Sequence, residues 1–251
     1  MASVSIGRAW TETSAFVKRE AGLLFPVALL FVSIPFALMY QLIPADVRQA
    51  MTMPRTDMAA LPEVSGGALL GMMLAMMVAL TGGLALSALA LRPGISVGEA
   101  LQRAARSLPV LLGVGLCVGI VFLIPLTVIA FASPAVGRLA AVFGALFLSV
   151  RLLTLNAVIV DRDLGIVASL KSAWASSGGN FMRLAGFVFI LGGITIFAQV
   201  VAQMLFGLAG FLIGGREAGT AGADLGTALV LGIAQIYSST MVARIYRQLS
   251  D

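Results

Sequence analysis

Six long apolar runs, about residues 21–43, 67–91, 109–131, 139–160, 184–207 and 227–243, alternate with shorter polar segments along the chain. Each run is long enough to cross about 30 Å of hydrocarbon as a helix rising about 1.5 Å per residue. The pattern predicts an all-α integral membrane protein with six transmembrane helices, residues 1–251 forming a single membrane domain. The fifth run continues through Gly210, Phe211, Leu212 and Ile213 to Gly214, too far for one upright span, so a tilt or a break near Gly207 is expected. The first 20 residues are polar, a poor match to a cleavable signal, and the N-terminus is expected to be retained.

Three of the polar segments carry a helical rather than a random pattern. Ile6, Ala9, Trp10, Thr13 and Val17 share one face of a helix, with Arg8, Glu12, Lys18 and Arg19 elsewhere. Val97, Ala100, Leu101, Ala104 and Leu108 repeat the arrangement opposite Glu99, Gln102, Arg103 and Arg106, and Val167, Leu170 and Trp174 repeat it opposite Ser169, Ser172 and Ser176. These segments predict about three amphipathic surface helices lying in the headgroup layer. Each starts near a glycine, Gly7, Gly98 or Gly165, and each leads to a helix-weakening residue at similar depth: Pro35, Pro125 and the Gly192-Gly193 pair. The chain reads as three repeats of surface helix, broken span and return span.

Composition sharpens this picture. Apolar residues make up 60% and charged residues 11% of the chain, and the mean hydropathy of +1.05 excludes an ordinary soluble domain. The net charge of +5 points to anionic lipid headgroups rather than nucleic acid. Segments 1–20, 92–108, 161–183 and 244–251 hold eleven Lys and Arg residues, against Arg48, Arg55, Arg138 and Arg216 on the other side. The bias places both termini in the cytoplasm, across a bacterial inner membrane. Trp10, Lys18, Arg19, Arg103, Arg106, Lys171 and Trp174 are the expected headgroup contacts.

Histidine is absent, which removes the commonest general acid/base and transition-metal ligand. No Asp or Glu lies within any apolar run, and both lysines, Lys18 and Lys171, lie at the surface, so an intramembrane enzyme is disfavoured. The single Cys117 allows no intramolecular disulfide. Met72, Met73, Met76 and Met77, with Met51, Met53 and Met58 in the preceding loop, lack the cysteine or histidine support a copper site would want and fit gap-filling better. No metal and no cofactor are expected. Glycines four apart at Gly67/Gly71, Gly115/Gly119 and Gly210/Gly214 permit close helix approach, within one chain or in a homo-oligomer or membrane-protein partnership.

Arg151 is the one charge inside an apolar run, at a cost of about 2.5–3.5 kcal/mol on insertion scales. With no acid available, its partners must be neutral groups, backbone, lipid or water. Counting residues from the inner ends of the runs puts Gln235, Tyr237 and Ser238 of the sixth run, and Thr195 of the fifth, at comparable depth. Two readings stand: an internal anion or lipid-phosphate site, or a structural arginine bonded to helix groups or reaching the surface. Gln199 and Gln203, one turn apart, fit interhelical hydrogen bonding.

The stretch Arg151-Leu152-Leu153-Thr154-Leu155, Val158-Ile159-Val160-Asp161, Gly165, Ala168-Ser169-Leu170-Lys171, Trp174 and Gly178-Gly179-Asn180-Phe181 resembles the signature of a bacterial six-helix family. That family includes the membrane domain preceding the catalytic domain in some glycerophosphodiester phosphodiesterases, together with stand-alone relatives. In the family pattern a serine precedes the tryptophan and Leu-Thr follows, whereas here Ala173 precedes Trp174 and Ser176-Ser177 follow. The resemblance implies the membrane architecture alone, because the phosphodiesterase domain works with paired histidines and this chain has none.

The reading that follows is a non-enzymatic membrane scaffold or accessory protein in lipid or envelope processes, its alternative a small transporter or channel with a polar site near Arg151. The topology is checked directly. Cysteines introduced at Thr56 or Ala221 should react with an impermeant thiol reagent in intact cells, and one at Gln102 should not; labelling at Gln102 overturns the orientation.

Overall fold

A computed structural model describes residues 5–44, 47 and 64–250. Among these residues the chain is all helix, with no strand. Helix α1 (Ile6–Arg19) is capped by Ser5, whose hydroxyl accepts from the Arg8 N–H at 3.4 Å, and it ends with Lys18 and Arg19 in its last turn, where cations complement the helix dipole. Helix α2 (Ala21–Leu42) follows, interrupted by a π-helical turn at Leu29–Ser33. Then come α3 (Gly66–Leu91), α4 (Val97–Ala132), α5 (Pro134–Arg151), α6 (Leu155–Arg162), α7 (Ile166–Ser176) and the long α8 (Phe181–Ser250).

Local chemistry explains the boundaries. Ser96 and Glu99 form a reciprocal capping box: the Glu99 N–H donates to Ser96 Oγ at 3.2 Å and the Ser96 N–H to the Glu99 carboxylate at 2.8 Å. At the α4–α5 turn Ser133 is the cap and Pro134 occupies the first helical position, where its missing N–H costs nothing. Asp163 ends α6 in the left-handed region, at φ 44°, which Asp tolerates better than most residues.

Five helical stretches among the described residues are long and apolar enough to cross a membrane: Ala21–Leu42, Gly66–Leu91, Val97–Ala132, Pro134–Arg162 and Phe181–Leu249. The last is long enough for two crossings, and α8 reverses within it at Gly214 and Gly215. Gly215 has φ 71° and ψ −154°, a conformation essentially confined to glycine. Past that point the arms, 181–213 and 216–250, run back along one another with backbones almost touching. A Cβ on Gly226 would stand 2.8 Å from the Ala202 carbonyl oxygen, and one on Gly210 or Gly222 would collide with the carbonyls of Ala218 or Phe206. The expected break near Gly207 is therefore not found. Gly207 continues the helix and packs opposite Ala223, while the turn falls seven residues later, at the glycine pair that permits it.

The surface segments also differ from one another. Helix α1 is separate, but its apolar face, Ala9, Thr13, Phe16 and Val17, is buried. It packs on the C-terminal arm of α8, where Trp10 stacks on Tyr237 at 5.9 Å and the Ser5 N–H donates to Gln248 at 2.9 Å. The second segment is not a helix of its own, since it runs straight through Pro109 into the third span as the 36-residue α4. Of the three expected breaks, only that before Pro35 is present; Pro125 and Gly192-Gly193 lie in continuous helix. The loop methionines Met51, Met53 and Met58, with Arg48, Arg55 and Thr56, lie outside the described residues.

Helix α3 is the axis of the assembly, packing against α2, α4, α6 and α8. Its half from Gly82 to Leu91 is buried throughout, together with Ala157–Val160 of α6 and Met241–Ala243, Ile245 and Tyr246 of α8. The π-turn of α2 is wedged against this axis. Pro35 has no N–H for the Phe31 carbonyl, the Ile34 N–H bonds back to Leu29, and the backbone widens. The widened turn fits because it meets glycine on both sides, Gly82 of α3 against Phe31 and Gly232 of α8 against Ser33.

A Cβ on Gly82 would stand 2.6 Å from the Phe31 carbonyl oxygen, a backbone atom with nowhere to go, whereas one on Gly115 meets open space. Gly82→Ala should therefore destabilise the protein by about 1–3 kcal/mol, and Gly115→Ala should change stability by no more than about 0.5 kcal/mol. Thermal unfolding in detergent micelles measures both; equal shifts would refute the wedge.

Candidate functional site

Arg151 is the last residue of α5 and lies inside the Pro134–Arg162 stretch, where the helix is interrupted at Leu152–Thr154 before α6 begins. A cation in the last turn of a helix faces the partial negative charge of unbonded carbonyls, which offsets part of its desolvation. The remainder of its surroundings is aromatic. The guanidinium carbon lies 4.9 Å from the Trp174 ring centroid, and 5.5 Å from those of Phe147 and Phe181. Three ring faces within cation–π range contribute about 0.5–2 kcal/mol each, according to their desolvation. One guanidinium nitrogen donates a long hydrogen bond, 3.4 Å, to Ser177, while Nε is buried with no hydrogen-bond partner among the described residues.

This cage joins the fourth span, the polar segment that follows it and the start of the fifth. Phe147 is one turn before Arg151 on α5, Trp174 comes from α7, Ser177 caps α7, and Phe181 opens α8. Thr154 and Ser176 join the two sides through a 2.6 Å hydrogen bond. Phe147 also meets Trp174 edge-on at 5.7 Å and Phe181 at 5.7 Å, so the rings support one another as well as the charge.

The other residues placed with Arg151 on depth lie apart from its contacts. The Gln235 side chain donates to Ser239 at 3.1 Å and abuts Gly83, the Ser238 hydroxyl donates to the Gln235 carbonyl, Tyr237 stacks on Trp10, and Thr195 donates to the Leu191 carbonyl. Four of these groups thus belong to the α3–α8–α1 packing or to their own helix backbone. Of the headgroup candidates, Trp10 is half-exposed, and Lys18, Arg19, Arg106 and Lys171 are exposed. Arg103 and Arg106 line a polar recess of about 220 Å³ with Glu99, Gln102 and Asp163. Trp174 is exposed as well as lying over Arg151.

A second cluster ties the ends of α3, α6 and α8. Asp161 forms a 3.7 Å ion pair with Arg92 and accepts from the Tyr246 hydroxyl at 3.1 Å, the Arg162 guanidinium lies 5.7 Å from the Tyr246 ring, and Arg247 donates to the Leu91 carbonyl. Among the described residues no group of three His, Cys, Asp or Glu side chains is placed to hold a metal ion.

Below the Arg151 cage, α4, α5 and α7 enclose a slot of about 320 Å³ with almost wholly apolar walls, including Cys117, Val121, Phe122, Gly144, Phe147 and Trp174. Two of the three rings around the guanidinium therefore also form the wall of the slot. Sequence spacing exposes only part of this arrangement: Phe147 and Arg151 are four apart on one helix, a local signal. Phe181 and Ser177 reach the charge by the folding back of α7, which no local spacing announces.

Fold and composition define an all-α, multi-pass membrane protein. No protein-family model, curated protein or solved structure matches the chain.

Arg151 and Trp174 should be energetically coupled. In a double-mutant cycle of Arg151→Leu and Trp174→Leu, thermal unfolding should give an interaction term of about 0.5–2 kcal/mol. A term near zero would reduce the cage to coincidental proximity.

Proposed function

We propose that the protein is a non-enzymatic scaffold or accessory in lipid or envelope processes of a bacterial inner membrane, with both termini in the cytoplasm, and a stand-alone relative of the six-helix family that residues 151–181 resemble. Its partners are membrane lipids with anionic headgroups, met by Lys18 and Arg19 of α1, Arg103 and Arg106 of α4 and Lys171 of α7.

The observation that carries this reading is the packed interior. Leu84, Ala85, Ala88, Val158, Val160, Ala243 and Ile245 are fully buried where α3, α6 and α8 meet, and polar side chains beside them are engaged, Ser87 with the Gly83 carbonyl and Gln235 with Ser239. A transport path would need a continuous polar cavity at this level. Two recesses among the described residues instead have apolar walls and open between helices, the slot beside α7 and another of about 540 Å³ between α2 and the C-terminal arm of α8. The absence of histidine and of carboxylates in the apolar runs argues against intramembrane acid–base catalysis.

Water access separates the two readings. In a Cys117→Ser background, Gln235→Cys should stay unreactive towards a small, water-soluble methanethiosulfonate in reconstituted vesicles. Rapid labelling from either side would replace the scaffold reading with the transporter.

A further inference from the structure

We propose that the slot bounded by α4, α5 and α7 is a binding site for one anionic phospholipid, an acyl chain lying in the slot and the headgroup phosphate paired with Arg151. The proposal requires only that the chain is membrane-embedded, and it is independent of the choice between scaffold and transporter.

Two observations converge on this occupant. The first is the shape and chemistry of the slot. Its walls are nearly all hydrocarbon and aromatic, with Cys117, Val118, Val121 and Phe122 from α4, Gly144, Phe147, Leu148 and Leu152 from α5 and its end, and Leu170 and Trp174 from α7. Gly144 allows the Phe122 ring to lie directly against α5, in contact with the glycine itself. A flexible alkyl chain fills such a cleft at no polar cost.

The second is the uncompensated charge beside it. The contacts of Arg151 are three neutral rings and one hydroxyl, its Nε is buried without a hydrogen-bond partner among the described residues, and Phe147 and Trp174 are shared between guanidinium and slot. The rings orient the guanidinium but carry no charge to neutralise it. A phosphate diester supplies that charge and accepts the planar fork of N–H groups, which is the pairing for which arginine is better suited than lysine. A zwitterionic lipid would bring its own cation to the same place and gain less. The class of ligand is therefore a phospholipid with net negative charge and at least one long alkyl chain.

The two tryptophans make the test direct. Trp10→Phe leaves Trp174, in the wall of the slot, as the sole tryptophan. The full chain in phosphatidylcholine vesicles receives increasing fractions of phosphatidylglycerol, or of phosphatidylcholine, brominated on the acyl chain. Brominated phosphatidylglycerol should reach half-maximal quenching of Trp174 at a roughly fivefold lower mole fraction, the factor one basic side chain contributes beside an anionic headgroup. Arg151→Gln should abolish the difference, Arg151→Lys should keep part of it, and Cys117→Phe, which fills the slot, should remove it with the charge intact. Each variant is compared at matched helical content by circular dichroism. Equal quenching by the two lipids in the Trp10→Phe protein would mean ordinary annular lipid and would overturn the proposal. So would a preference that survives Arg151→Gln, which would assign the attraction to Lys171 or Arg183, or one that survives Cys117→Phe, which would place the chain elsewhere.

Discussion

In a bilayer, apolar surface gains little by leaving lipid for protein, so helices associate through close van der Waals contact and through the few polar groups they can satisfy. Every other feature of this structure depends on where that close contact is possible. Gly82 and Gly232 let the widened turn of α2 press against α3 and α8, and the glycines of α8 let its arms meet backbone to backbone. The result is a dense unit around the second half of α3. Elsewhere the helices stay loosely engaged, and large side chains such as Val121, Phe131, Phe197 and Ile213 face outward, exposed where lipid would cover them.

Polar groups obey the complementary rule. Several charges sit at helix ends, where backbone groups are already unpaired and a charge has something to answer. Arg151 ends α5, Asp161 and Arg162 end α6, and Arg244 and Arg247 are near the end of α8. Arg244 repeats the Arg151 solution in a smaller form, its guanidinium 5.1 Å from the Phe16 ring and its Nε likewise buried without a hydrogen bond among the described residues. Aromatic rings face the guanidinium in both places.

The segment between the fourth and fifth spans gains a structural meaning from this. Arg151, Thr154, Trp174 and Phe181, drawn from a 31-residue stretch, close on one another around a charge and a hydroxyl pair. These residues are therefore a packing unit, one that turns the chain from α5 into α8. Its outer wall is the apolar slot, so the chemistry of the turn and the chemistry of any amphiphile resting there are set by the same side chains.

The sequence by itself determined what depends on near neighbours. The apolar runs define spans because hydropathy is summed along the chain, Ser96-x-x-Glu99 and Ser133-Pro134 define helix starts because capping reaches three residues, and Phe147 meets Arg151 because they are one turn apart. The tertiary structure alone decided which of 28 glycines matter. Gly67, Gly115 and Gly119 meet open space, while Gly82, Gly222 and Gly226 are pressed against carbonyls of a facing helix. It also decided that the fifth span turns at Gly214-Gly215 rather than near Gly207, that the second surface segment joins α4, and that Arg151 turns to Trp174 and Phe181 while Gln235 turns to Ser239. In each case the deciding quantity is the axial register of one helix against another, set by backbone approach between residues far apart in the chain, and residue counting along a single helix carries no information about it.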